Sequence, residues 1–437
     1  MRPAPAPAPA PATRLAGALA LALCLGFTNA SCGDSSPETG GDERRDAGTP
    51  GAAPESGGTA PRDRRPVPDA SDTVPLPAAP DLTADAARAE LAGALDDLAP
   101  EEASRAALLY LASLGDGGLA DRVRQELLAE DGGEYDDNVA AALGLEILLV
   151  LGESDAPART LALARQLIDA EDEVEGIAQA LGRIEGKFAA DADALLVELA
   201  GDSAYDEVVA AALEALATRR SPAAAKILPQ IAADGELFDA VRGTAVTAML
   251  MTGHTDAARA ADALVASDVD GSELIAGCGV PGGEAAVPYI TRIVQRAFAE
   301  GNADLEFAEA CYALARIYGG TSGAAHGREL IQGWLELDPD LEGDEATYAL
   351  WVLGDEARTD AAARLLASEV ASAARHDPEL AVDLLEHLAE RGLARDPRFE
   401  KAVSAAAATP PRAGLPGLDL ATQRLRAAAA YAFLRAR

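Results

Sequence analysis

The sequence predicts an all-α fold, an α-solenoid of antiparallel helical hairpins preceded by a disordered tether. Three observations lead there. Apolar residues recur at four-residue spacing, as in Val139, Leu143, Ile147 and Leu151. Hairpin-sized segments return at a period near 33–35 residues. No run of strand-like alternation competes with them.

Residues 1–31 are read as an export signal. Arg2 and Arg14 supply a positive flank, and the 13 residues from Leu15 to Phe27 are uncharged and apolar. That stretch is too short for a hydrocarbon layer of roughly 30 Å. Two cleavage sites compete. Thr28-Asn29-Ala30 suits cleavage after Ala30 and release as a secreted protein. Asn29-Ala30-Ser31-Cys32 resembles a bacterial lipobox, which implies lipid attachment at Cys32, although the pattern wants an aliphatic residue at Asn29. The polar residues from Gly33 onward, and the rarity of a lone exposed thiol in exported proteins, favour the lipid anchor. Residues 32–81 are rich in Pro, Gly and charge and read as a disordered linker, because they bury too little to offset their ordering entropy. At random-coil scaling such a tether spans roughly 40 Å.

From residue 82 amphipathic helices follow one another. Leu237, Val241, Ala245 and Met249 share one helical face, as do Leu380, Leu384 and Leu388. Ser154, Ser203, Ser221 and Asp377 stand as N-caps, the last two before proline. Segments 139–167, 208–231 and 241–265 align with each other, at steps of 69 and 33 residues, so the first gap is expected to hide another copy. Segment 307–335 supplies a further hairpin.

"VLGESDAPARTLALARQL" resembles the helix-turn-helix of HEAT repeats, in particular the short bacterial kind of the phycobilisome lyases. Pro229 and Pro288 resemble the proline of the first helix in such units. "AEACYALARIYGG" and the Leu337-Asp338-Pro339 turn look more like tetratricopeptide repeats, with Tyr312, Ala315 and Tyr318. These are packing motifs, and the resemblance implies a binding scaffold. The expected domains are HEAT-like repeats over 82–280, a second helical-repeat segment over 281–408, and a linker with a C-terminal capping helix over 409–437. Gly277, Gly279, Gly282 and Gly283 around Pro281 predict a kink or seam between the two arrays.

Chemistry is thinly signalled. With 36 Lys and Arg against 72 Asp and Glu, the net charge of −36 argues against nucleic acid as a partner. Lysine occurs only at Lys187, Lys226 and Lys401, a bias typical of GC-rich bacterial coding. Cys278 and Cys311, 33 residues apart, form the possible disulfide. Equivalent positions on stacked helices lie roughly 8–10 Å apart, long for a bridge, so two buried free thiols stay open as well. His254, His326, His376 and His387 have no metal-ligand spacing and read as turn or surface residues. Asp338, Asp340 and Glu342 match the first half of a calcium loop, which then fails at Ala349, where a carboxylate belongs. Asp268 to Gly271 is a weaker match. Trp334 and Trp351 are expected in the core.

The expectation is therefore a non-catalytic, extracytoplasmic scaffold, monomeric and without cofactor, that binds a protein through its concave face and a membrane through Cys32. The runner-up is an enzyme on an α/α-toroid with acidic cleft residues, marked by a closed ring of convergent carboxylates. A calcium-responsive acidic domain is the third.

Overall fold

The computed structural model describes residues 75–76, 78–96, 109, 119–126, 128, 137–170, 175–203, 205–267, 269–372, 379–410 and 416–436. The signal region and Cys32 lie outside them, as do most of the tether, Asp268, His376 and Asp377. Among the described residues there are 19 α-helices and no strand. Two open the array, α1 (Ala84–Asp96) and α2 (Leu119–Glu126). Eight hairpins follow: α3 (Asp137–Leu151) with α4 (Ala156–Ala170), α5 (Glu175–Gly182) with α6 (Ala189–Asp202), α7 (Asp206–Thr218) with α8 (Leu228–Ala233), and α9 (Asp239–Thr252) with α10 (Ala257–Ala266). The remainder are α11 (Gly271–Cys278) with α12 (Val287–Glu300), α13 (Asp304–Tyr318) with α14 (Ala324–Leu337), α15 (Asp344–Val352) with α16 (Thr359–Ser372), and α17 (Glu379–Arg391) with α18 (Pro397–Ala407). α19 (Pro416–Arg435) ends the chain. First helices of successive hairpins start 31 to 40 residues apart, and the copy expected in the 69-residue gap is α5 with α6.

The two helices of a hairpin are physically different. First helices stack on one another in an inner layer and are buried on nearly every side. In α9 every residue from Gly243 to Met249 is buried, and in α7 every residue from Val208 to Ala217 but Ala215. Second helices form an outer layer with one apolar stripe each. That stripe is Ala156, Thr160, Ala164 and Leu167 in α4, and Val287, Ile290, Ile293, Val294 and Ala297 in α12, the 3.6-residue period of a half-solvated helix. Pro229 and Pro288 sit in the first turns of α8 and α12, which are second helices of their hairpins rather than first ones. There a missing N–H costs nothing.

Inner helices run parallel, so their N-terminal ends make one edge of the array, the leading edge, and their C-terminal ends the other, the trailing edge. Both edges are cross-linked between repeats. On the leading edge Asp239 Oδ2 accepts from the Asp270 backbone N–H at 2.8 Å. On the trailing edge Arg219 donates to the carbonyls of Gly182 and Ala189, each at 3.2 Å, and to that of Ile184. Arg391 reaches the Trp351 carbonyl at 2.8 Å in the same way. These arginines bring positive charge and donors to the carbonyl-rich ends of the inner helices and the turns that follow them.

The glycine cluster ends α11 at Cys278 and brings that helix hard against α9. A Cβ on Gly277 would overlap the Ala240 backbone, and Thr244 Oγ1 donates to the Gly277 carbonyl at 3.1 Å. The stack continues across the cluster, with α11 packed on α9 before it and α13 after it. At the far end α19 packs on α17, α18 and α1. Arg426 pairs with Glu90 at 2.6 Å, and the Leu82 N–H donates to Ser404 Oγ at 3.4 Å. α19 and α1 thus lie together at that end of the stack. No described helix is long and apolar enough to cross a membrane.

Candidate functional site

Curvature gathers polar groups in the interior. Arg316 on α13 lies 3.6 Å from Glu214 on α7, although α9 and α11 stand between those helices in the stack. Glu309, two turns before Arg316 on α13, is held among carboxylates. Its burial, with Asp270 and Glu345 nearby and against the pull of Arg316, pushes its pKa up to about 7. Asp383 on α17 is pushed up to about 6 by burial, despite His387, Arg424 and Arg316. Tyr312 and Tyr348 stack with ring centroids 5.5 Å apart. The Tyr348 hydroxyl lies 3.3 Å from His387 Nδ1, which is also 2.9 Å from the Asp383 carbonyl. Burial raises both phenols. His387, expected on a turn or the surface, thus belongs to this interior group, which the sequence did not single out.

The structure does not bring the expected site residues together. Cys278 and Cys311 are buried free thiols. Cys278 faces back toward α9, with Sγ 4.0 Å from the Gly243 carbonyl, while Cys311 feels Glu345 of the following repeat. The possible bridge is not formed, and the Cys278 thiol is turned to α9. Burial raises Cys278 to about 11 and Cys311 well above its ordinary value. Asp338 Oδ1 accepts from the Asp340 N–H at 3.1 Å, capping a single 3-10 turn, and Glu342 pairs with Arg358. Asp270 is the N-cap of α11 and accepts from Ser272 and Glu273 N–H at 2.9 and 3.2 Å. Among the described residues no group of His, Cys, Asp and Glu is arranged to hold a metal ion. Trp334 and Trp351 are in the core, the former edge-on to Phe307 and the latter against Phe399.

The surface has its own asymmetry. Four large apolar side chains stand exposed among the described residues: Tyr205 and Phe238 at 58%, Leu305 at 70% and Leu337 at 68%. Tyr205 and Phe238 immediately precede α7 and α9, Leu305 is in the first turn of α13, and Leu337 ends α14 just before α15. All four therefore lie on the leading edge. The fold defines a helical-repeat protein; no family model matches the chain, and no curated protein or solved structure matches it.

Proposed function

We propose that the chain is a non-catalytic, extracytoplasmic helical-repeat scaffold that holds a protein partner and is fastened to a bacterial membrane by lipid on Cys32. The observation that carries the binding reading is the collection of the exposed large apolar side chains on one edge, since such surface on a soluble fold marks interaction sites. Where Arg316 meets Glu214 the concave side is filled by the protein's own side chains. The binding surface is therefore assigned to the leading edge instead of the concave face. A photo-crosslinking residue at Phe238 in the native cell is expected to give adducts, and one at Ala357 on the trailing edge none. Adducts at neither position, nor at Tyr205, Leu305 or Leu337, would remove the scaffold reading. Intact mass beside a Cys32→Ser variant tests the anchor: a chain starting at Ser31 without acyl groups means a released protein.

The raised carboxylates of Glu309 and Asp383, gathered with Arg316 and Tyr348, favour a second reading, an enzyme on a closed helical array. Full complementation of a deletion strain by a Glu309→Gln, Asp383→Asn variant would end it.

A further inference from the structure

The scaffold reading leaves the partner's chemistry open; resting on that reading, we infer that the leading edge takes a cationic protein segment bearing apolar side chains. The apolar row comes first. Tyr205, Phe238 and Leu305 mark the starts of α7, α9 and α13, and Leu337 ends the outer helix α14 on the same edge. The register of these starts is fixed by contacts between them. The Asp206 carboxylate accepts from the Phe238 N–H, and Asp239 from the Asp270 N–H. Gly271 lies against Glu306, so closely that a Cβ there would come 3.1 Å from the Glu306 side chain. With inner helices roughly 8–10 Å apart, the row from Tyr205 to Leu305 runs about 27 Å across three steps. That is the reach of about 18 residues of helix or about 8 of extended chain.

Charge then selects the occupant. The described residues of the linkers that lead from an outer to an inner helix contain 6 Asp and Glu and no Lys or Arg, a net −6. The eight linkers that lead back contain 8 Asp and Glu and 7 Lys and Arg, a net −1. First-turn acids of the inner helices, among them Asp206, Asp239, Glu273 and Asp304, add to the leading edge. Acids at helix N-termini suit the macrodipole, and Asp270 and Asp338 also serve as caps; the negative field they give this edge is present whatever their local role. A second copy of the chain would bring like charge onto like charge, and an anionic bilayer would do the same. A basic segment with apolar anchors matches both features, and desolvated apolar contacts ringed by opposite charge are what hold such partners.

The test uses the full mature chain and a labelled 24-residue synthetic peptide with Arg on one helical face and Leu and Trp on the other. Fluorescence anisotropy is read at low and at physiological salt. Tyr205→Ser, Phe238→Ser, Leu305→Ser together are expected to weaken binding about tenfold. Asp234→Asn, Glu236→Gln, Asp304→Asn together should weaken it similarly at low salt and less at high salt. The equivalent trailing-edge set, Glu185→Gln, Asp256→Asn, Glu284→Gln, should stay within about twofold, and all three must melt within a few degrees of the parent. An equal loss from the trailing-edge set, no loss from the apolar set, or no binding at all overturns the proposal. So does binding of the Cys32→Ser chain to phosphatidylglycerol vesicles that the apolar set abolishes. If Phe238 still crosslinks to a partner whose captured segment is not basic, the partner chemistry falls and the scaffold stands.

Discussion

The two edges of the array solve the same problem, joining one helix to the next, with different residues. On the trailing edge each inner helix ends in a tight turn. The left-handed glycines Gly152, Gly253, Gly354 and Gly392 recur there, each followed by an N–H that reaches back five residues, as from His254 to Met249 at 2.9 Å. Arginines of the next repeat then close over the carbonyls. On the leading edge the joins are acidic and leave Tyr205, Phe238, Leu305 and Leu337 in solvent. One edge is spent on stability, and the other is the one to which the proposed partner is assigned.

If that division holds, substitutions on the two edges should differ most in what they do to folding. Arg219→Ala should have the largest effect. The side chain is only 13% exposed, pairs with Asp193 at 2.6 Å and donates to carbonyls around the preceding turn. Its loss leaves Asp193 half-desolvated and those carbonyls unpaired, for about 3–4 kcal/mol. Phe238→Ser on the leading edge should stay within about 0.5 kcal/mol. Urea denaturation of both variants decides it, and near-equal midpoints would dissolve the contrast.

Between the edges lies the close approach of α9 and α11. Gly277→Ala puts a methyl group into the Ala240 backbone, where no flexible side chain can yield, so the helices must separate. A loss of about 2–3 kcal/mol is expected, read as a lowered melting temperature. A melting temperature equal to the parent's would mean that the two helices are not seated so closely.

Much of this division was legible in the sequence, but unevenly. Four-residue spacing located the inner helices, with Val241, Ala245 and Met249 fully buried in α9, while Leu237 of the same set lies before the helix and is half-buried. Ser221 caps as expected, accepting from the Ala223 N–H at 3.3 Å. Local chemistry writes such features within one turn of helix. The interior group was not legible, because Glu214 and Arg316 are 102 residues apart and meet only through the curvature of the stack. His387 looked solitary for the same reason, its neighbour Tyr348 being 39 residues away. The charge difference between the edges is written in the sequence, yet it can be counted only once the helix ends are known.

The interior group predicts a pH dependence of stability. A carboxylate whose folded pKa is raised binds its proton more tightly in the folded state, so it stabilises below its unfolded value and is destabilising above its folded one. For Glu309, raised to about 7, and Asp383, raised to about 6, stability should fall as pH rises from about 4 through 7. Glu309→Gln keeps the shape without the charge and should be more stable than the parent at pH 8, by about 2 kcal/mol, and equal to it near pH 4. A parent and variant that differ by the same amount at both pH values would show that Glu309 does not titrate in this range.

The smallest expected effect bears on the glycine turns. Arg220 has φ +50°, the only non-glycine residue with positive φ among those described, and it occupies the turn position that glycine fills at 152, 253, 354 and 392. Its N–H bonds to the Ala217 carbonyl, and the Ser221 N–H to that of Leu216 at 2.9 Å, so the capping geometry is intact. The left-handed conformation costs an L-residue about 1–2 kcal/mol, part of which glycine gives back through its greater freedom when unfolded. Arg220→Gly should therefore raise stability by about 0.5–1 kcal/mol. The side chain is exposed, so little contact is lost with it. The gain would mark the trailing edge as under selection for turn geometry at most of its joins and relaxed at this one. A loss would mean that the Arg220 side chain makes a contribution larger than the strain of its backbone.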